Sequence, residues 1–276
     1  MRTVRRLPVF ALCLLTLVSC VSVDIAAQGE RARGSFERTL TVNGPVDLSV
    51  RTGSGDIQIR TGTGDRVQVI GRISAGTSRE TTEPAADRVR RIEAAPPIVQ
   101  NGNVITLGDT RGDNLYNNVS ISYELVVPAN TQLNASTGSG DQTIGSVDGA
   151  IRARTGSGDI RIERTGGGLT AQTGSGSIRV SSVGGEVRAQ TGSGDVDVTQ
   201  TTRGDVTVQT GSGDVVLRLP SNASFTLDAS TGSGSISTAQ PITVQGRLRR
   251  NHVEGTVGNG GNFVRVRTGS GSIDIR

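Results

Sequence analysis

Residues 151–198 read IRARTGSGDIRIERTGGGLTAQTGSGSIRVSSVGGEVRAQTGSGDVDV, and the tetrapeptide TGSG returns in them at Thr155, Thr173 and Thr191, 18 residues apart. The same tetrapeptide begins at Thr52, Thr137, Thr210, Thr231 and Thr268, and the interval drifts from 18 to 19, 21 and 37 residues toward the C-terminus. A fixed period marks a repeat architecture, in which each unit buries its apolar side only against its neighbours. Aligned on the threonine, apolar residues stand two and four positions before it (Ala153 and Ile151, Ala171 and Leu169, Ala189 and Val187). They stand again five and seven positions after it (Ile160 and Ile162, Ile178 and Val180, Val196 and Val198). Polar residues fill the gaps, among them Arg152, Thr170, Gln172, Arg188 and Asp197. Alternation with period two is the signature of a strand with one buried face.

Each unit therefore holds two short strands, separated by a Gly-Ser-Gly corner and by a second corner at Gly166-Gly167-Gly168, Gly184-Gly185 or Gly204-Asp205. Glycine suits such corners because it takes positive φ without a Cβ penalty. The pattern predicts an all-β, elongated β-solenoid of the parallel β-helix or β-roll kind, with two strands per 18-residue coil. An antiparallel meander would tolerate the same turns, but in-register parallel stacking rewards identical residues at identical positions in successive coils. Seven or eight coils after Thr137, each adding about 4.8 Å, make a rod of roughly 35–40 Å. Its core must be thin, because the chain holds four phenylalanines, two tyrosines and no tryptophan.

Residues 1–28 read as an export leader. Arg2, Arg5 and Arg6 precede the apolar run Val9–Val18, which is too short to span a bilayer as a mature helix. Leu17-Val18-Ser19-Cys20 has the form of a bacterial lipobox, with Cys20 the lipidated residue; Ile25-Ala26-Ala27 before Gln28 has the form of an ordinary signal-peptidase site. Both exits lead out of the cytoplasm, to the periplasm, the outer membrane or the cell surface. The only other cysteine, Cys13, leaves with the leader, so no disulfide or thiolate site is expected. The remainder, 29–276, is expected to be one solenoid domain with a helical insertion at about 73–98 and its most regular repeats over 133–219. Within the insertion, Glu83 to Glu93 predicts a short helix entered at Pro84 and stopped by Pro96-Pro97.

The strand entry, the helical insertion, the passage VSISYELVVPANTQLNASTGSGD (119–141) and the SGDI-type repeats together resemble a bacterial adhesin-like family of exported β-strand-repeat domains of unknown function. The resemblance spans roughly residues 36–276. It implies an envelope-located β-solenoid and carries no catalytic signature.

Chemistry-bearing residues are few. His252 is the single histidine, all 29 basic residues are arginines, and no G-x-S-x-G elbow occurs. Asp56, Asp65, Asp141, Asp159, Asp195 and Asp214 each follow the second glycine of a corner, and Asp141, Asp159, Asp195 and Asp214 are the candidate cation ligands. Calcium rolls also use 18-residue coils, but their aspartate stands one position later, and here Ser177, Ser235 and Ser272 interrupt the row. Calcium needs six or more oxygens, whereas Asp and Ser at a corner can bond backbone N–H groups unaided. Arginines interspersed with acids offer no nucleic-acid stripe along the chain, and the cluster Arg247, Arg249, Arg250 and His252 suits a solvated loop. The expected function is that of a non-catalytic, adhesin-like envelope protein without a cofactor, binding a protein or matrix partner and touching the membrane only through a lipid at Cys20. A calcium-dependent structural repeat and a β-helix carbohydrate enzyme are the alternatives.

Overall fold

The computed structural model describes residues 31–77, 82–110, 112–244 and 250–276. The leader with Cys20, and Arg247 and Arg249 of the basic cluster, lie outside these residues. Two long sheets, of eleven and twelve strands, face each other across a narrow core. A typical coil enters the twelve-stranded sheet at Leu169–Ser175, turns at Gly176-Ser177, and crosses to the eleven-stranded sheet as Ile178–Val183. It returns through Gly184-Gly185 to the next strand, Val187–Ser193.

Stacking is parallel and in register. Ile151 pairs with Leu169, Leu169 with Val187 and Val187 with Val206, while Thr155, Thr173, Thr191 and Thr210 form a second continuous row. The apolar rows point inward, and Ala135, Ala153, Ala171 and Ala189 are wholly buried along the middle of the twelve-stranded sheet. Alanine there lets the two sheets approach closely, which explains how a chain so poor in aromatics fills its core.

Spatial order departs from chain order at both ends. The TGSG coils stack as Thr52, Thr137, Thr155, Thr173, Thr191, Thr210, Thr268 and Thr231. The last coil, strands Asn262–Ser270 and Ile273–Ile275, is thus wedged between the Thr210 and Thr231 coils instead of following the latter. The first coil behaves likewise. Val46–Ser54 pairs with Val104–Leu107 on one side and Thr131–Ser139 on the other, and Ile57–Gly62 sits between Val119–Pro128 and Gln142–Val147. Coils with equivalent apolar rows are interchangeable as neighbours, so stacking energy does not dictate sequential order. TGTGD at Thr61 is no repeat corner: it leads from Ile57–Gly62 into Arg66–Ala75, which runs antiparallel to Val119–Pro128.

An open solenoid end would present unpaired strand edges. At the N-terminal end Ala32–Thr41 and Arg66–Ala75 form an antiparallel cover, and the helix Ala85–Ala94 packs on it through Val89 and Ile92. Glu93 Oε1 of that helix accepts the Ser35 backbone N–H at 2.8 Å. The bulky side chains gather here: Phe36 meets Tyr123 edge-to-face at 6.4 Å and lies over Gly71, where a Cβ would stand 2.1 Å from its ring. Arg88 is fully buried and donates to the carbonyls of Gly76, Leu115 and Asn117, tying the helix to the segments on either side of the insertion. At the other end His252–Val257 runs antiparallel to Phe225–Ser233, with Thr243–Val244 outside it.

Deletions test this arrangement. Gln172 pairs with Gln190 and Thr173 with Thr191, so removing 173–190 splices equivalent positions and costs one coil. That protein should stay soluble and melt cooperatively. Removing only 173–181 discards one strand and one corner and puts the TGSG row against the Gly-Gly row, so it should melt at clearly lower temperature. Truncation after Gly261 takes a coil from inside the stack and should be worse than the whole-coil deletion, with recovery on adding a peptide of residues 262–276. Equal melting temperatures for the three variants would contradict the coil assignment.

Candidate functional site

The repeated corner is the most regular polar feature of the molecule. The second glycine of TGSG adopts φ between +137° and +155° at Gly55, Gly140, Gly158, Gly176, Gly194, Gly213, Gly234 and Gly271. A Cβ at Gly176 would lie 2.1 Å from the Gly158 carbonyl oxygen of the preceding coil, so both conformation and contact demand glycine. This backbone turns the Gly158–Asp159 peptide so that side chains satisfy its polar groups. Its carbonyl accepts the Thr173 hydroxyl of the next coil at 3.0 Å, and its N–H donates to Asp141 Oδ1 of the preceding coil at 2.8 Å.

The arrangement runs the length of the rod. Thr137, Thr155, Thr191, Thr210, Thr268 and Thr231 donate to the glycine carbonyls of Gly55, Gly140, Gly176, Gly194, Gly213 and Gly271 over 2.8–3.1 Å. In the Thr52 coil the acceptor is the Ile121 carbonyl at 2.7 Å, because Val119–Pro128 takes the neighbouring place. The four candidate cation ligands all lie in the aspartate row. Oδ1 of Asp141, Asp159, Asp195 and Asp214 accepts the backbone N–H of Asp159, Ser177, Asp214 and Ser272 respectively, at 2.7–2.9 Å. Asp56 does the same for Asp141. Asp65 is absent from the row, because the turn after Thr61 is a chain reversal.

Arginines neutralise part of this row: Arg161 reaches Asp159 at 2.5 Å and Asp141 at 3.6 Å, and Arg179 reaches Asp159 at 3.8 Å. The carboxylates stand in single file, one per coil, and among the described residues no three acidic or histidine side chains converge as a metal cage would require. Neighbouring charges of like sign repel by only about 1 kcal/mol in water, less than the N–H each carboxylate satisfies. The arrangement is a hydrogen-bond ladder made by side chains where the backbone ladder lapses. Sequence reasoning anticipated aspartate bonded to backbone N–H at the corner; it missed that donor and acceptor belong to successive coils.

Other polar groups among the described residues lie apart from this row. His252 Nε2 lies 3.8 Å from Glu254 on the outward face of a capping strand. An open hollow of about 510 Å³ beside Gly62-Thr63-Gly64 brings Asp65 and Arg66 together with Gln68, one carboxylate and one guanidinium. Burial pushes the Tyr123 phenol well above its ordinary range, with Tyr116 a smaller contribution, so it stays protonated inside the N-terminal core. Outward on the twelve-stranded sheet, Arg154 Nε donates to Gln172 Oε1 at 3.0 Å, and Gln172 Nε2 donates to Gln190 Oε1 at 3.0 Å. Gln190 in turn reaches Gln209 at 3.5 Å, completing a row of stacked side-chain amides.

Residues 42–276 match the family model described as Toastrack DUF4097. The chain belongs to the Toastrack DUF4097 family. This bears out the resemblance to the adhesin-like family of β-strand-repeat domains, and the Toastrack domain is one of unknown function. Solved structures that align with it include a "putative cell adhesion protein" from Clostridium sporogenes (16% identity, 88% of this chain and 99% of that one, TM-score 0.36). A "putative adhesin" from Bacteroides fragilis aligns at 13% identity over 88% of this chain and 97% of that one, TM-score 0.39. A "putative lipid binding protein" from Parabacteroides distasonis aligns at 12% identity over 90% of this chain and 97% of that one, TM-score 0.26. No curated protein matches the chain.

The ladder makes a definite forecast for Asp159. Asn retains an acceptor oxygen for the Ser177 N–H, so Asp159→Asn should change stability by less than about 0.5 kcal/mol, whereas Asp159→Ala should cost about 1–2 kcal/mol. Millimolar calcium should move neither the strand signal nor the melting temperature in circular dichroism. A large calcium-dependent gain of strand would instead make the aspartate row a cation site.

Proposed function

We propose that this Toastrack chain is a non-catalytic, adhesin-like protein of the bacterial envelope or cell surface, whose rod presents flat polar strand faces to a protein or matrix partner. The observation that carries it is the continuity of those faces. Thr170, Gln172, Arg188, Gln190, Thr207 and Gln209 point outward from strands in unbroken register. Repeat stacks of this kind serve as extended binding platforms, because rigid spacing along the axis lets many weak contacts add. The polar groups of the corners are engaged in holding coil to coil, which leaves the strand faces as the surface open to a partner.

The leader of residues 1–28 supports export. Among the described residues no helix is long and apolar enough to cross a membrane; a lipid on Cys20 would supply an anchor. Retention of partners from detergent-solubilised envelope extract on immobilised protein is the direct test. Saturable capture of a defined envelope or matrix component, unaffected by Asp159→Asn, is the expected result. Turnover of a carbohydrate by the purified protein, or its residence in the cytoplasmic fraction, would overturn the proposal.

A further inference from the structure

Arginine and acid alternate along the chain, but the fold keeps carboxylates off a run of six strands in the twelve-stranded sheet. The six stacked strands Thr131–Ser139, Ile151–Ser157, Leu169–Ser175, Val187–Ser193, Val206–Ser212 and Asn262–Ser270 contain five arginines and no carboxylate. On the opposite sheet five arginines are matched: Arg72 with Glu124 at 2.8 Å, Arg161 and Arg179 with the aspartate row, Arg164 with Asp148 at 3.1 Å, and Arg218 with Asp197. Arg276 holds the Asp274 carboxyl below its ordinary range there through a hydrogen bond. On the twelve-stranded sheet the compensation is partial. Among the described residues Arg152 and Arg154 meet no carboxylate, and Arg154 is steadied by Gln172. Arg188 leans on Glu186 at the corner, and Arg265 and Arg267 share the single Asp228 at the far end.

The register gives this charge a period. Arg152 pairs with Thr170, Thr170 with Arg188, Arg188 with Thr207 and Thr207 with Arg265, so guanidinium and hydroxyl alternate along one column. Consecutive arginines in it are two strand steps apart, about 9.6 Å. The adjoining column offers amides from Gln172, Gln190 and Gln209. Arginine presents a rigid fork of donors suited to carboxylate, sulfate or phosphate, and the threonines and glutamines suit hydroxyl groups.

We propose that this face binds a linear acidic polysaccharide laid along the rod axis, its anionic groups on alternate sugars meeting Arg152, Arg188 and Arg265. This rests on the envelope-binding role above and names the ligand class for it. A periodic polymer fits a periodic row better than a folded acidic protein does. Single-stranded nucleic acid requires aromatic stacking platforms, and the two columns have none; Phe263 is exposed in the next column outward. A membrane surface would call for an apolar face to insert, which these polar columns lack.

Binding of the purified protein to immobilised polygalacturonate (carboxylated), heparin (sulfated) and dextran (neutral) tests this. The variants are Arg152→Gln/Arg154→Gln/Arg188→Gln and a control of equal charge on the opposite sheet, Arg60→Gln/Arg72→Gln/Arg164→Gln. Wild type and control should bind at least one anionic polymer within twofold of each other and ignore dextran. The face variant, with its melting temperature unchanged, should bind at least tenfold more weakly. Equal loss in both variants would reduce the effect to net charge and overturn the proposal. So would tighter binding to anionic lipid vesicles or to a single-stranded oligonucleotide, or no binding to either polymer. Envelope extract run over the same proteins separates the two levels. Equal retention by wild type and face variant leaves the envelope role standing while the ligand assignment fails, and no retention by wild type removes the role itself.

Discussion

Everything in this fold hangs on one peptide group per coil, the unit joining the second glycine of TGSG to the residue after it. A chain turning between two sheets must break its backbone ladder there, and each unpaired buried polar group would cost about 1–3 kcal/mol. Glycine at φ near +140° rotates the peptide so that its carbonyl meets a threonine hydroxyl of the next coil. Its N–H meets, where the row is unbroken, an aspartate of the preceding one. The motif T-G-S-G-D thus states, in one line of sequence, a contact that exists only between successive copies. That is why the unit is stable as a stack and why its residues repeat.

Stacking of this kind has no natural stop, and the two ends show how the chain imposes one. Antiparallel strands replace parallel coils, a helix docks through Val89 and Ile92, and a glutamate side chain takes an edge N–H that a further strand would otherwise claim. The first and last coils lie inside the stack, so the chain closes its array with segments from elsewhere in the sequence. Each end carries the large side chains the middle lacks, with Phe36 and Tyr123 at one and Phe225 at the other.

Legibility from sequence followed the range of the interactions. Coil, strand phase and the helix at Ala85–Ala94 were readable because period-two alternation, glycine corners and Pro84 act locally. The place of the Thr268 coil was not, since its apolar row fits beside any TGSG coil; only the 37-residue interval hinted at a detour. Burial of Arg88 was equally hidden, because an arginine on a short amphipathic helix ordinarily faces water, and only the carbonyls of Gly76, Leu115 and Asn117 converging from both flanks make it an interior anchor. The aspartates looked like cation ligands or local caps because a linear reading cannot show that the N–H they serve lies one coil away. Charge behaved the same way: the arginines, scattered along the chain, fall into line only once register sorts Arg152, Arg188 and Arg265 into a single column.

The threonine hydroxyl is the most exposed assumption in this account, and Thr173 isolates it. Valine matches threonine in shape and removes only the hydroxyl, leaving the Gly158 carbonyl without the donor that the corner supplies. Urea denaturation of Thr173→Val and Thr173→Ser beside the wild type measures its worth. Valine should lose about 1–3 kcal/mol with the slope of the transition unchanged, and serine, which restores the donor, should recover part of that loss. A valine variant as stable as the wild type would contradict the claim that side chains carry the ladder through the corner.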